Sequence, residues 1–343
     1  MAHHSSDLPG PAPADPVPAD PVLADPGDRL MLLDTPSLYF RAFHGVPSSV
    51  RAPDGTPVNA VRGLLDVIAR QIADTRPRRF VACFDADWRP AFRVALLPSY
   101  KAHRVAEPPP VAPAGESGAG GAPAGLAEEV PDDLAVQLPV IDAALAAFGL
   151  ATAAAPGYEA DDVIGTLTTR HAGPVDVFSG DRDLFQLVDD ARARCVRYSV
   201  EKFAVIDEAA VRARYGIPGK AYADFAVLRG DPSDGLPGVA GVGAKTAAAI
   251  VTRFGSLARA RAAAAEGQTA GFPPGAARRL LAAADYLDAA VEVVQVVRDV
   301  ELPELDDRLP AAPADPDAVA ELARHYGLTG SCERLAAALR DRA

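Results

Sequence analysis

The chain has 343 residues, of which 49% are hydrophobic and 23% charged, so it is long enough to bury the cores of two modest domains. Its three cysteines lie far apart, which argues against a disulfide framework or a thiolate zinc site and favours a reducing cytoplasm. No apolar run approaches the roughly 20 residues that a membrane span needs. The start of the chain has neither the cationic nor the apolar segment of a signal peptide.

The formal net charge of −12 alone counts against a nucleic-acid partner, because phosphate binding usually leaves a basic footprint. Two interpretations compete. The protein is either an ordinary acidic enzyme or one whose clustered acids gather cations while basic residues collect elsewhere. Net charge does not separate these interpretations, but the positions of the charges do.

The first predicted elements are a tail, a strand and a helix. Residues 1–28 repeat Pro-Ala-Asp units, and proline at this density leaves little to bury, so a disordered tail is predicted. The apolar run 30–33 predicts a buried strand that ends at Asp34. Thr56 and Pro57, a capping residue followed by proline, predict the start of a helix.

The middle of the chain alternates strands with helices. A strand is predicted at 80–84, a flexible Pro/Gly/Ala-rich insertion at about 106–130, helices at 132–148 and from Glu159, and a strand at 175–178. This alternation predicts a parallel α/β sheet with helices on both faces. After about residue 205 the pattern becomes purely helical, with one region at 205–300 and a C-terminal helical segment at 301–343.

Acidic side chains follow the predicted strands. Asp34, Asp85 and Asp181 each lie at or just beyond the C-terminal end of an apolar run. Because ligand crevices in open parallel sheets lie at the carboxyl ends of the strands, we expect these carboxylates to meet at one edge. The neighbouring motifs GYEADDVIGTL, SGDRDLF and RGDPSDGLPG add six more acids: Glu159, Asp161, Asp162, Asp183, Asp231 and Asp234.

Each acid alone has an ordinary structural explanation, since carboxylates stabilise the first turn of a helix and Asp is a common N-cap. The full set is harder to explain in that way, because packed like charges repel unless a cation lies among them. Oxygen ligands without His or Cys favour Mg²⁺ or Mn²⁺ over zinc. Several carboxylates around two such ions are the usual apparatus of phosphodiester hydrolysis.

Residues 236–250, LPGVAGVGAKTAAAI, predict a glycine-rich turn that leads into a helix. Gly238, Gly241 and Gly243 let the backbone approach a ligand, and Lys245 and Thr246 lie where free N–H groups attract an anion. This helix–hairpin–helix pattern holds a DNA backbone without reading bases. A glycine-rich helix connector is the alternative, whereas the spacing excludes a P-loop.

A third candidate is the basic segment SYKAHR at 99–104 together with Arg93. Tyr100 is a candidate for stacking on a frayed base. Arg93, Lys101 and Arg104 are candidates for holding phosphates near the metal ions. A solvated basic helix face is the alternative explanation.

In this order, several segments resemble the bacterial 5′→3′ exonuclease and flap endonuclease family, which includes the N-terminal nuclease domain of DNA polymerase I and its free-standing relatives. The segments are LLDTPSLYFRAFHGVP, FDADWRPAFR, SYKAHR, GYEADDVIGTL, FSGDRDLFQL and RGDPSDGLPGVAGVGAKTA. The match runs from about residue 29 to 300, and the free-standing form is expected. The resemblance implies a PIN-like nuclease domain at 29–204, a helical arch, and a helix–hairpin–helix region at 205–300 that often binds K⁺.

The resemblance also implies residue roles. One metal ion would lie around Asp34, Asp85, Glu159 and Asp161, and the second around Asp181, Asp183 and Asp231, with Asp162 and Asp234 nearby. Lys101 and Arg104 match residues that steer the scissile phosphate, and Tyr100 matches one that meets the splayed end base. The duplex clamp is matched by Gly241, Gly243 and Lys245.

Two departures from the family pattern stand out. Thr35 and Pro36 follow the first aspartate, where the family often has glycine and small polar residues. Gly235 replaces a frequent asparagine after the last aspartate. Neither departure removes a carboxylate, so the predicted metal site keeps its full set of acids.

The implied activity is structure-specific hydrolysis of DNA at 5′ ends and flaps by two Mg²⁺ or Mn²⁺ ions, in primer removal and repair. A monomer in the cytoplasm is expected, with RNA–DNA hybrids as a further substrate class. One rival is a nuclease-dead module that recognises DNA junctions, although such a module gains nothing from acids that repel phosphates. A PIN-type ribonuclease would usually lack the helical region at 205–300, and a phosphatase would leave the hairpin unexplained.

Overall fold

The computed structural model describes residues 27–105, 128 and 130–341. The predicted tail and most of the predicted insertion therefore lie outside the described residues. The described part contains a six-stranded sheet, in the order β3-β2-β1-β4-β5-β6. Its strands are β1 Leu30–Asp34, β2 Arg79–Cys83, β3 Thr152–Ala153, β4 Val175–Ser179, β5 Arg194–Tyr198 and β6 Ala204–Ile206.

Fourteen α-helices are assigned within the same described ranges. Those associated with the sheet are α1 Thr35–Gly45, α2 Asn59–Thr75, α3 Ala91–Leu96, α4 Asp132–Ala135, α5 Leu138–Phe148 and α6 Ala160–Arg170. The later helices are α7 Glu208–Tyr215, α8 Tyr222–Arg229, α9 Ala244–Phe254, α10 Leu257–Ala265, α11 Ala276–Ala282, α12 Ala284–Val294, α13 Pro316–Tyr326 and α14 Thr329–Asp341. None of the described helices is long and apolar enough to cross a membrane.

The predicted parallel sheet is confirmed for five strands, whereas the edge strand β6 pairs antiparallel to β5. Strand β1 is buried along its whole length, as expected for a central strand covered on both faces. Leu30 and Leu32 point into one hydrophobic core, and Met31 and Leu33 into the other. The sheet thus separates two cores, and the carboxyl ends of β1, β2 and β4 meet at one edge.

Two predicted helix boundaries were wrong. Thr56 and Pro57 belong to a turn closed by an antiparallel bridge between Arg51 and Pro57, so α2 begins later, at Asn59. The predicted helix at 132–148 breaks before Gln137, which is fully buried. The Gln137 Oε1 atom accepts a hydrogen bond of 2.8 Å from the Ala60 amide, so the break lets this side chain cap the start of α2.

Two features of the packing concern the predicted domain boundaries. The boundary between residues 204 and 205 falls inside β6, which continues the sheet to Ile206. Helices α13 and α14 pack against α5 and α2, on the core that lies on the α2 side of the sheet. The C-terminal helical segment is therefore part of the sheet-containing half of the molecule.

Candidate metal centre and DNA-binding hairpin

Carboxylates from five separate segments line one cavity of about 370 Å³ at the carboxyl edge of the sheet. Asp34, Asp85 and Asp181 reach it from the ends of β1, β2 and β4, as the sequence pattern predicts. Glu159 and Asp161 reach it from the start of α6. The rest of the wall includes Phe40, Trp88, Lys101, Arg104 and Glu128.

Asp34 lies at the centre of this cluster. One carboxylate oxygen accepts a hydrogen bond of 3.1 Å from the Ser37 amide and so caps α1, and the other accepts one from the Ser179 hydroxyl. Pro36 lies in the first turn of α1, where proline is tolerated, which explains this departure from the family pattern. Burial, together with the charges of Asp85 and Asp181, raises the pKa of Asp34 to about 7.

The pKa values of the neighbouring carboxylates Asp85 and Asp161 are also raised. Burial and the charge of Glu159 raise the pKa of Asp85, whose Oδ1 atom accepts a hydrogen bond of 2.7 Å from the Ala160 amide. Burial and the charge of Asp181 raise the pKa of Asp161 well above its ordinary range. A bound cation would relieve this repulsion, and the all-oxygen donor set fits a hard divalent ion.

The pKa of Asp34 leads to a prediction about stability. The folded state holds the proton on Asp34 more tightly than the unfolded chain does. The free energy of unfolding therefore increases as the pH falls through 7 and decreases as the pH rises through 7. In EDTA, the melting temperature of the wild type should rise between pH 8 and pH 6 relative to that of Asp34→Asn. Parallel melting curves for the two proteins across this range would contradict the assignment.

Glu159 is held by three donors. Arg93 donates to it over 2.5 Å, the Tyr100 hydroxyl donates over 2.7 Å, and Lys101 forms an ion pair with it. Tyr100 is only 5% exposed, and its stacking on a splayed base stays a prediction. Its ring lies beneath Lys101, whose ammonium group is 5.2 Å from the ring centroid.

Arg93 and Asp162 have structural roles. The side chain of Arg93 is 3% exposed and donates two hydrogen bonds to Asp162, so it cannot hold a phosphate at the surface. Asp162 also accepts from the Val297 amide at 2.8 Å and forms a capping box with Glu159 at the start of α6. The oxygens of Asp162 are committed in this way, and its position near the metal ions stays a prediction.

Asp231 also has a structural role. Its Oδ1 atom accepts hydrogen bonds from the amide and hydroxyl of Ser233, and its Oδ2 atom pairs with Arg229 at 3.0 Å and Arg182 at 3.3 Å. Two guanidinium groups thus neutralise this carboxylate, and Asp231 does not line the cavity. Its contact with Ser233 shapes the turn Pro232–Asp234, and its role at the second metal ion stays a prediction.

Asp183 and Asp234 lie behind the cavity, in a small enclosed space shared with Glu159 and Asp161. The Oδ1 atom of Asp183 is buried without a hydrogen-bond partner, and burial raises the pKa of this group well above its ordinary range. Burial and the charge of Asp181 raise the pKa of Asp234 to about 6. An unsatisfied buried carboxylate oxygen is unfavourable, and it fits a cation ligand.

The described residues nevertheless contain no group of three or more Asp, Glu, His or Cys side chains already close enough to hold an ion. Instead, two cations of the basic segment neutralise part of the cluster. Lys101 pairs with Glu159, and Arg104 pairs with Asp234 at 3.0 Å. Both cations also line the cavity, where the sequence places them beside the predicted metal ions.

Gly235 joins the basic segment to the last acidic motif. It has a φ of +73°, and a Cβ atom there would lie 2.1 Å from the Ser99 carbonyl oxygen. The Lys101 amide donates to the Asp234 carbonyl oxygen in the same contact, over 3.0 Å. Only glycine fits this close approach, which explains why the asparagine frequent in the family is absent here.

The close approach of Gly235 to Ser99 predicts that a larger residue at position 235 lowers activity. Gly235→Asn should push the segment 99–104 away from the site and lower the cleavage rate at least tenfold, measured under single-turnover conditions. Gly216→Asn is a matched control, because Gly216 also has a φ of +73° but has open space where its Cβ would lie. Equal rates for the two variants would show that the contact with Ser99 is unimportant.

The predicted hairpin connects α8 to α9. Gly238 and Gly241 have φ values of +72° and +74°, and a Cβ atom on Gly238 would lie 2.5 Å from the Arg229 carbonyl oxygen. Gly243 is the N-cap of α9 and offers no side chain to its first N–H groups. Lys245 is exposed and Thr246 is half-buried at this helix start, as expected for an anion-binding turn.

Sequence reasoning missed several residues of the site. Glu128 lines the cavity and pairs its backbone with Val105, which brings the chain back to the site at the end of the predicted insertion. The acidic pair 128–129 after the Pro/Gly/Ala-rich stretch was the available signal. Ser179, which donates to Asp34, and the apolar wall formed by Phe40 and Trp88 carried no comparable signal.

Comparison with known proteins agrees with this geometry. Residues 29–216 match the family model described as the N-terminal resolvase-like domain of 5′–3′ exonucleases, and residues 217–317 match the C-terminal SAM fold of the same family. A 5′–3′ exonuclease of Streptomyces coelicolor is 56% identical over 89% of this chain and 98% of its own length. One from Mycobacterium tuberculosis is 51% identical over 90% of this chain and 97% of its own length.

DNA polymerase I of Mycobacterium tuberculosis is 35% identical over 85% of this chain, which matches 30% of the polymerase. Among solved structures, the flap endonuclease of bacteriophage T5, in a complex with DNA and metal ions, shares the fold with a TM-score of 0.56 and 16% identity. That alignment covers 91% of this chain and 99% of the phage protein. The chain belongs to the 5′–3′ exonuclease family and is a nuclease of that class.

Proposed function

We propose that this nuclease hydrolyses phosphodiester bonds at the 5′ ends and flaps of duplex DNA with the help of divalent cations. The observation that carries the proposal is the cavity at the carboxyl edge of the sheet, where six acids meet two basic side chains. The hairpin at 238–243 follows the last acidic motif by only a few residues, so a duplex held there lies next to the cavity.

The proposed cofactors are two Mg²⁺ or Mn²⁺ ions. Asp34, Asp85, Glu159 and Asp161 would hold one of them, and Asp181, Asp183 and Asp234 would hold the other. Such ions would activate a water molecule and stabilise the leaving oxygen. The raised pKa values of Asp34 and Asp161 and the unpartnered oxygen of Asp183 support a cation at this position.

The chain's own residues would bind and orient the substrate. Lys101 and Arg104 now pair with Glu159 and Asp234, and divalent ions on those carboxylates would free both side chains for the scissile phosphate. Phe40 and Trp88 supply an apolar wall for a terminal base. The segment 99–104, anchored at Gly235, would keep these groups on the same side of the cavity.

We further propose that the hairpin holds the duplex backbone, with K⁺ bound among its carbonyl groups, and that RNA–DNA hybrids are also cleaved. These substrates fit roles in primer removal and repair. A monomer in the cytoplasm is proposed, and the three free cysteines Cys83, Cys195 and Cys332 support a reducing compartment.

The test is a gel assay with a 5′-labelled flap duplex in Mg²⁺ and in EDTA. Cleavage near the junction that requires the divalent ion is expected. Tight binding without cleavage in any divalent metal would instead favour a junction-binding module.

A further inference from the structure

One arginine links two glycine turns in the helical region. Gly241 in the hairpin and Gly275 at the start of α11 have φ values of +74° and +72°. The side chain of Arg279, from α11, lies against both turns. A Cβ atom on Gly241 would be 3.1 Å from its Nε atom, and one on Gly275 would be 3.8 Å from its Cζ atom. The missing side chains therefore make room for the guanidinium group.

The charge of Arg279 is not neutralised by the part of the chain that the structure describes. Its one hydrogen bond goes to the Pro274 carbonyl oxygen over 3.5 Å, and no described carboxylate lies within ion-pair distance of it. By contrast, Arg261 on the neighbouring α10 pairs with Asp288 at 2.6 Å. A half-buried arginine without an acidic partner retains its full attraction for an external anion.

The position of Arg279 suits a phosphate on the hairpin. The first N–H groups of α9 follow Gly243, which provides no capping side chain, and Lys245 is exposed in the same turn. Because its stem packs on Gly241, the guanidinium group is already ordered, so binding would cost little side-chain entropy. Arginine also presents a fork of donors that matches phosphate geometry.

We propose that Arg279 binds a phosphate of the duplex backbone, so that the hairpin 238–243 and the turn before α11 hold the DNA together. This inference rests on the proposed function, because it assumes that the hairpin binds duplex DNA. It extends the DNA-binding surface beyond the hairpin to α11, where Arg279 lies 36 residues after Gly243 in the chain.

The experiment compares Arg279→Gln with Arg278→Gln, whose arginine is exposed on the same helix and is not among the atoms nearest to Gly241 or Gly275. Binding of a fluorescent blunt duplex is measured by anisotropy in EDTA over a series of salt concentrations. Loss of one phosphate contact should weaken binding roughly eightfold at 0.1 M salt and lower the slope of log K against log salt by about 0.9. Arg278→Gln should change the slope by less than half as much.

A second variant, Arg279→Lys, tests whether the loss of binding comes from the lost charge or from a disturbed fold. Arg279→Lys keeps the charge and should keep most of the salt dependence, whereas Arg279→Gln should lose it at an unchanged melting temperature. Equal affinities and slopes for the two glutamine variants would overturn the role of Arg279. Absence of duplex binding by the wild type would overturn the proposed function itself.

Discussion

Asp181→Asn is expected to lower the cleavage rate at least about a thousandfold, the largest effect of any substitution discussed. The carboxylate of Asp181 lines the cavity, and its charge contributes to the raised pKa of Asp34, Asp161 and Asp183. An amide would keep its shape but remove the charge that a divalent ion needs. Single-turnover cleavage of a labelled flap duplex in Mg²⁺ measures the loss.

Binding of the same duplex should persist in Asp181→Asn or become tighter, because one charge that repels phosphate is gone. Asp317→Asn is the control, since this exposed carboxylate lies in the first turn of α13, away from the cavity. Wild-type cleavage by Asp181→Asn would refute the metal-site assignment. Loss of both binding and cleavage would show that the substitution acts through the fold instead.

Arg93→Gln is expected to lower the free energy of unfolding by about 3–5 kcal/mol, because it leaves the buried carboxylate of Asp162 without its cation and Glu159 with Lys101 alone. Arg93 donates to Glu159 and Asp162 and, through Nε, to the Val293 carbonyl oxygen in α12. It therefore joins the sheet-containing half of the chain to the helical region. Denaturation midpoints in urea, measured in EDTA, would report the loss.

Arg89→Gln is the matched control. Arg89 is half-buried nearby but donates only to the carbonyl oxygens of Tyr100 and Pro98. Its loss should cost about 1 kcal/mol. Adding Asp162→Asn to Arg93→Gln should restore part of the stability, because it removes one uncompensated charge. If Arg93→Gln unfolds at the same urea concentration as Arg89→Gln, the buried ion pairs do not stabilise the fold.

The gathering of carboxylates could be predicted from the sequence because it depends on local patterns. An apolar run followed by aspartate marks the carboxyl end of a buried strand, and parallel pairing brings such ends to one edge. Asp34, Asp85 and Asp181 meet in the cavity for this reason. The glycine spacing of the hairpin and the helical character of the later region are equally local features.

The partners of individual side chains could not be predicted, because they come from distant parts of the chain. Arg93 meets Glu159 and Asp162 across separations of 66 and 69 residues. Nothing near Tyr100 in the sequence shows that it turns inward, and nothing near Asp231 shows that the distant Arg182 joins Arg229 in pairing with it. Charge and residue type marked these residues as candidates, and only the packing decides between a binding and a structural role.

The packing of α14 against α2 has a consequence for synthesis of the protein. The two helices lie side by side and are joined by the ion pair between Arg334 and Asp66, although α2 is made some 250 residues earlier. Until α14 has been synthesised, the apolar residues of α2 that pack against it are exposed to solvent. Chains released before α14 is made would expose that face and would be substrates for chaperones and proteases.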